Sequence, residues 1–331
     1  MAAPMIGPFY CHSLLEPLSK RGFCHKALTQ LADGHPMPWQ LNYSLDELYA
    51  RYDAANCACV ALPGLQPKLG LSLHDGTLRF AEEKSKYILK WQPRAAGAFA
   101  TDVAANEHLT MQLAAQVFKI VTAPNACITL LDDHFAYLTR RFDYQGRQRI
   151  HIEDLCQLGE RNPYTHGPDY KVKSSYEEAA ELLKRYCSGY RLETLRFFKR
   201  VLFNIVVGNG HAHLKNISVM RLFSGLYMLA PAYDLMNTAL HHPDQPPLAM
   251  PLFKDGYTTP TFQQRGHYSR ADIVEFGHRI GLENYQITEE LRRLDLSKDK
   301  IERLVKRSFL TPKAQKRYLQ ILTLRKRQLL R

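Results

Sequence analysis

The stretch Gly208-Asn209-Gly210-His211-Ala212-His213-Leu214-Lys215-Asn216 constrains this chain more than any other, because it joins a helical pattern to a hairpin pattern through a loop crowded with polar side chains. Upstream, Leu192, Leu195, Phe198, Val201, Leu202, Ile205 and Val206 recur at the spacing of a helix with one buried face, over Arg191 to Val207. Gly208 breaks that helix. Downstream, Ile217 to Met220 and Leu226 to Ala230 are short apolar runs separated by the turn signal Ser224-Gly225, and together they read as a tight hairpin. Asn216 therefore enters the hairpin and Asp234 leaves it, which predicts two oxygen donors side by side.

Magnesium bound to a nucleotide takes few protein ligands, all oxygen, with phosphates and waters completing its octahedron. Protein kinases use an Asn and an Asp in this chain order for that purpose. The plainer alternative is that both are turn residues, since Asn and Asp flank turns routinely. The density of His, Lys, Asn and Asp in a loop fed by a buried helix favours a functional loop.

The chain has 331 residues, 45% of them hydrophobic, enough for two lobes with separate cores. It contains no run of about 18 apolar residues and no signal-peptide pattern at Met1 to Pro8, so the expectation is a soluble, cytoplasmic protein with no membrane partner. Seven scattered cysteines suit a reducing compartment better than a disulfide framework. The formal charge of +12 is concentrated at the end, where Arg303 to Arg331 holds Lys and Arg but no Asp or Glu. Such a tail attracts nucleic acid or an acidic partner. The alternative is a solvated basic helix docked by Tyr318, Leu319, Ile321, Leu322 and Leu324, and the absence of a recognition-helix motif favours it.

From the amino terminus, Cys11-His12 and Cys24-His25 offer zinc-ligand types, but no Cys-x-x-Cys pair accompanies them, which favours structural cysteines. Val60 to Leu73 is a loop leading into an alternating strand and has no Walker A pattern. After the Asp75-Gly76 turn, Tyr87 to Lys90 is a strand ending in a lysine. A lysine on a buried strand must be paired or reach solvent. Both readings are open for Lys90. Asn106-Glu107, followed by Met111, Leu113, Ala114 and Val117, reads as a helix that offers a glutamate partner. Ala136 to Asp143 is a strand running into a polar segment, with Phe142 either lining a pocket or filling a core. From Ile150 the pattern is helical: Ile152 to Leu158, Ser175 to Tyr186 with Glu178 completing a helix-start signature, and Arg191 to Val207. Tyr164 to Tyr170 is a loop, His241 to Pro247 is irregular, and Ala271 to Arg331 reads as helices capping the larger lobe.

Gly-Asn-Gly-x-Ala-His-Leu-Lys-Asn followed by Tyr233-Asp234 resembles the catalytic and metal-binding core of the HipA family, the kinase toxins of bacterial toxin-antitoxin systems. Gly64, Gln66 and Lys68 are similar to its phosphate-covering loop, and Arg141-Phe142-Asp143 to the segment that passes beside the adenine. The segment from Cys11 to Gly34 resembles the opening of the short, HipT-like branch. The resemblance implies a bilobed α+β protein-kinase-like fold: residues 1–56 as an amino-terminal segment, 57–145 as a small β-rich lobe and 146–331 as a larger helical lobe. It implies a serine/threonine protein kinase using ATP and Mg²⁺, with an aminoacyl-tRNA synthetase as the type of target. HipS-like and HipB-like proteins are the implied partners, and DNA is reached only through the latter. Around ATP it places Gly64, Gln66, Lys68, Lys90, Glu107, Phe142 and the loop-bracing His213, on the metal Asn216 and Asp234, and at the transferred phosphoryl group Lys215.

Two departures stand out. Ala61, Leu62 and Pro63 occupy the stretch where the family carries an autophosphorylated serine. His211 stands where the family has the aspartate that accepts the substrate hydroxyl proton. An imidazole accepts protons, with an unperturbed pKa near ~6.5, but it is bulkier than a carboxylate and cationic when protonated. The expectation is a loss of transfer on the order of 10²-fold or more. Two explanations follow: an inactivated kinase, or a pseudokinase that binds nucleotide or antitoxin without phosphoryl transfer.

Overall fold

The computed structural model describes residues 9–57, 66–81, 84–94, 97–146 and 148–331. The chain divides into two compact units, one of Met1–Gln112, Ala123–Arg141 and Arg303–Gln315, the other of Leu113–Thr122, Phe142–Glu302 and Lys316–Arg331.

In the first unit β1 (Phe9–Tyr10) and β2 (Pro17–Leu18) pair antiparallel and lead to α1 (His25–Ala32) and α2 (Leu45–Cys57). Then come β3 (Lys68–His74), β4 (Thr77–Phe80), β5 (Tyr87–Lys90), α3 (Val103–Gln116), β6 (Asn125–Thr129) and β7 (Phe135–Arg140). The strands β3 to β7 form one antiparallel sheet in the order β4-β3-β5-β7-β6. Leu71, Leu89, Ile128 and Leu138 of this sheet share a core with Trp91 and with Leu31, Leu41, Leu45 and Leu48 from the segment before it. Burying several leucines and a tryptophan in this way contributes about 1.5–3 kcal/mol per large side chain. All of β6 and the middle of β7 are buried without alternation, so these strands are covered on both faces.

The second unit begins with the short pair β8 (Tyr144–Gln145) and β9 (Gln148–Arg149), then β10 (Ile152–Asp154), α4 (Leu155–Leu158), α5 (Pro163–His166), α6 (Tyr176–Tyr186) and α7 (Tyr190–Val207). It continues through β11 (Ser218–Arg221), β12 (Tyr227–Leu229), α8 (Pro260–Arg265), α9 (Arg270–Arg279), α10 (Asn284–Asp295), the first half of α11 (Lys298–Arg307) and, from Lys316, α12 (Pro312–Leu330). The hairpin β11–β12 is extended by β10 into a three-stranded antiparallel sheet.

Several sequence expectations change here. Ile152 to Leu158 is a strand followed by one helical turn, because Asp154 and Gln157 form a capping box that starts α4 at Leu155 while Ile152 pairs with Met220. The loop from Tyr164 opens on α5, whose first turn is capped by the Asn162 side chain. Helix α7 has more than one buried face: Phe197, Phe203 and Val207 are buried with Phe198, Val201, Leu202, Ile205 and Val206, whereas Leu195 is half-buried and Leu192 at the open end is 52% exposed. Residues 303–315 are helical in part as expected but belong to the first unit. There the Phe309 ring lies 4.9 Å from the ring of His12 and 5.3 Å from that of Phe135. The backbone N–H of Thr311 also donates to Asp102 at 2.7 Å. In α12, Tyr318, Ile321 and Leu322 are buried, whereas Leu324 is exposed. Among the described residues no helix is long and apolar enough to cross a membrane.

Candidate functional site

In the first unit, register places the relevant side chains. The end of β5 sets Lys90 opposite Lys68 of β3 on one side and opposite Tyr137 of β7 on the other. Lys90 does not reach solvent: it is 6% exposed, its Nζ donates to Glu107 Oε1 at 2.6 Å, and Glu107 is 1% exposed. The ammonium also lies 5.4 Å from the centre of the Tyr137 ring. Removing one partner would strand a buried charge, which is why such pairs hold firmly. Gln66 donates from Nε2 to the Trp91 carbonyl at 3.2 Å, tying the strand that carries Lys68 to the residue after Lys90. Gly64, with Ala61 to Pro63, lies outside the described residues.

In the second unit a loop is built at the end of α7. Gly208 caps the helix with φ +68°, a conformation that costs glycine little. Thr238 Oγ1 then donates to the Gly208 carbonyl at 3.0 Å and accepts from Gly210 N–H at 2.8 Å, clamping the turn. Gly210 has no room for a side chain, since a Cβ there would lie 2.6 Å from the Pro246 carbonyl oxygen. Asn209 is wholly buried, donates to Asn204 Oδ1 at 3.1 Å and accepts from His211 N–H at 3.1 Å. Tyr176 donates to the Ala212 carbonyl at 2.9 Å.

These braces present the polar side chains differently. His211 and Lys215 are exposed, and Lys215 Nζ lies 3.4 Å from the Tyr170 hydroxyl. His213 is buried, with its ring 4.8 Å from that of His211. Burial, helped by the nearby His211 and Lys171 charges, pushes the His213 pKa down to about 3, so its imidazole is neutral at physiological pH. Asn216 donates from Nδ2 to the His211 carbonyl at 2.8 Å, which orients the amide and leaves Oδ1 as an acceptor. Asp234 sits just past the hairpin at φ +57°, a left-handed position that Asp tolerates better than most residues. Tyr233 holds the hairpin's two ends together, its hydroxyl 2.6 Å from Ser218 Oγ and 3.0 Å from the Lys215 carbonyl. Phe142 packs on the Ile150, Met220 and Ala230 cluster, with its ring 5.6 Å from that of Tyr233.

Asn216 and Asp234 line one small cavity of about 10 Å³, together with Asn204, Asn209, Arg200 and Tyr233. That volume holds roughly one water molecule. The donor set tests well against magnesium: an amide oxygen and a carboxylate are hard ligands, and two of them leave most of an octahedron to phosphate and water. Among the described residues no group of three or more His, Cys, Asp or Glu is arranged to hold a metal by itself. Arg200 is fully buried, donates to the Ala230 carbonyl ahead of Asp234, and has its pKa lowered by burial to about 10, so it stays cationic. Sequence reasoning did not single out Arg200, Asn204, Tyr176 or Thr238. Only Asn204, a polar residue inside the run Phe203 to Val207, left a signal that could have been read.

The chain matches the HipA-like C-terminal domain over residues 60–305. A Haemophilus influenzae protein provisionally named a kinase is 27% identical over 91% of this chain and 92% of its own length. The serine/threonine-protein kinase toxin HipA of Shewanella oneidensis is 30% identical over 58% of this chain and 46% of its own. The solved structure of Shewanella oneidensis HipA with HipB and operator DNA aligns with TM-score 0.61 and 25% identity, over 81% of this chain and 65% of that one. The proinflammatory kinase CtkA of Helicobacter pylori shares the fold at TM-score 0.52 and 12% identity, covering 89% of this chain and 95% of CtkA.

Proposed function

The chain belongs to the HipA-like C-terminal domain family and has an α+β kinase-like fold, and from that premise we propose that it is a serine/threonine protein kinase toxin of the short, HipT-like kind. It transfers the γ-phosphate of ATP to a protein hydroxyl, with an aminoacyl-tRNA synthetase as the type of target. HipB-like and HipS-like proteins are its antitoxin partners, the former linking it to DNA. The observation that carries this reading is the meeting of Asn216 and Asp234 at one cavity behind a loop held by Thr238, Asn204 and Tyr176.

Phosphoryl transfer asks the protein chiefly for positioning and charge neutralisation. Lys90 holds phosphate oxygens, with Glu107 fixing its ammonium, and Gln66 and Lys68 lie along the same strand ends. The family resemblance adds Gly64 to the phosphate-binding residues, and Phe142 and the neutral His213 to those that border the nucleotide. Asn216 Oδ1 and the Asp234 carboxylate are the groups that would hold Mg²⁺, which would supply charge neutralisation at the phosphates when bound. Lys215 is the exposed cation available to the transferred group. His211 takes the place of the proton acceptor, and because its ring is bulkier than a carboxylate it performs that role poorly.

Transfer from radiolabelled ATP to a mixture of translation proteins tests the reading, comparing the chain with its His211→Asp variant. The expected result is weak labelling by the chain and a gain on the order of 10²-fold or more in the variant. Labelling by neither form, with ATP still bound, overturns the enzyme and leaves a nucleotide-binding pseudokinase that engages the antitoxin.

A further inference from the structure

Cys11 and Cys24 stand apart from everything assigned above. Cys11 follows β1, is wholly buried, and closes the turn to β2, while Cys24 is the half-buried residue preceding α1. Their sulfurs are 3.6 Å apart with both thiols free. Two backbone N–H groups, of Leu14 at 3.4 Å and of Cys24 itself at 3.3 Å, point at Cys11 Sγ. The two residues share a small apolar cluster with Leu14, Leu18, Phe23 and Ala27, so the pair is held by packing on both sides. The other buried cysteines, Cys127, Cys156 and Cys187, have no such neighbour among the described residues.

We propose that Cys11 and Cys24 form a dithiol modification site that low-molecular-weight disulfides convert to an intramolecular disulfide. The more accessible Cys24 thiolate attacks the small disulfide, forming a mixed disulfide and releasing one small thiolate. The Cys11 thiolate then attacks Cys24 Sγ, forming the Cys11–Cys24 bond and expelling the second small thiolate. Two protein thiols are oxidised, one small disulfide is reduced to two thiols, and the protons balance. The product links the β1–β2 hairpin to the start of α1 within one unit, so fewer unfolded conformations remain open to it. Burial and the neighbouring Cys11 raise the Cys24 pKa to about 11, so the first step is slow at neutral pH and accelerates in alkali.

The full chain is treated with oxidised glutathione in mildly alkaline buffer, alkylated, digested with trypsin and analysed by mass spectrometry. Cleavage at Lys20, Arg21 and Lys26 separates the two cysteines, so the bond appears as residues 1–20 joined to residues 22–26. The expected result is that joined peptide, a loss of about 2 Da from the intact chain, and return of both alkylated peptides after reduction. The Cys11→Ser variant is expected to stop at the glutathione adduct on Cys24. Separate, fully alkylated peptides from the oxidised chain, a stable adduct on Cys24 with Cys11 still free, or a bond formed only between other cysteines each overturns the site.

Discussion

The Lys90–Glu107 pair and the loop from Gly208 to Asn216 place charged and polar groups by opposite means. Lys90 and Glu107 sit on a central strand and a buried helix, so sheet register and helix packing fix them. The loop has no ladder, and its shape comes from single bonds: Thr238 to Gly208 and Gly210 and Tyr176 to Ala212, both from distant parts of the chain, and Asn204 to Asn209 from the helix just before it. Regular elements spread the cost of holding a side chain over many contacts, whereas a braced loop concentrates it in a few. The difference teaches where each region will fail when altered.

The largest effect is expected from Lys90→Ala. It leaves Glu107 buried without its cation, and breaking a buried pair by removing one member costs about 3–5 kcal/mol. Urea unfolding followed by fluorescence should report a loss of that size, mostly regained in Lys90→Ala with Glu107→Leu. A loss in Lys90→Ala no larger than that of a surface lysine would mean that the pair is open to water and that the contrast with the loop is false. The next effect is Thr238→Val, which keeps the volume but removes a hydroxyl that both donates and accepts. About 1–3 kcal/mol is expected, the range for leaving buried partners unsatisfied. Hydrogen exchange at the Gly210 amide sharpens the test, because it should speed up far more than exchange in α7 if Thr238 holds the loop locally.

The contrast also explains which parts of the molecule the sequence made legible. The strand Tyr87 to Lys90, the helix bearing Glu107 and the hairpin around Ser224-Gly225 all carry their signal in adjacent or periodic residues, and each is found at those positions. The family motif brought attention to Asn216 and Asp234, which share a cavity. The braces at Thr238 and Tyr176 were invisible because these are ordinary residue types whose partners lie 30 and 36 positions away, whereas Asn204, five residues from Asn209, left a readable signal. Residues 303–315 failed for a related reason: a helix's periodicity shows that it has an apolar face and says nothing about which core receives it. At Ile152 the apolar spacing suited a helix equally well, and only pairing with Met220 and the cap at Asp154 decided for a strand.

The last effect comes from acid and accumulates with each pH unit, and it probes both regions through one chemistry. Each holds a buried histidine whose pKa is pushed down to about 3: His108 on α3 by burial, and His213 in the loop by burial together with His211 and Lys171. Each has an Nδ1 without a hydrogen-bond partner among the described residues, and His108 Nε2 lies 2.7 Å from the Ser13 carbonyl. In the unfolded chain both titrate near ~6.5. Above that pH neither state binds the proton, and the folded state keeps its full stability. Between ~6.5 and 3 the unfolded chain takes up protons that the folded chain refuses, so stability falls on acidification, approaching about 1.4 kcal/mol per pH unit for each histidine. Denaturation curves across that range should flatten by one proton's worth in His108→Asn and again in His213→Asn. Ring proton resonances separate the regions: neither histidine should titrate between pH 5 and 8. A His213 resonance that moves near pH 6 while that of His108 stays fixed would show the loop opening to water where the helix does not, because only solvation of the ring restores its ordinary pKa.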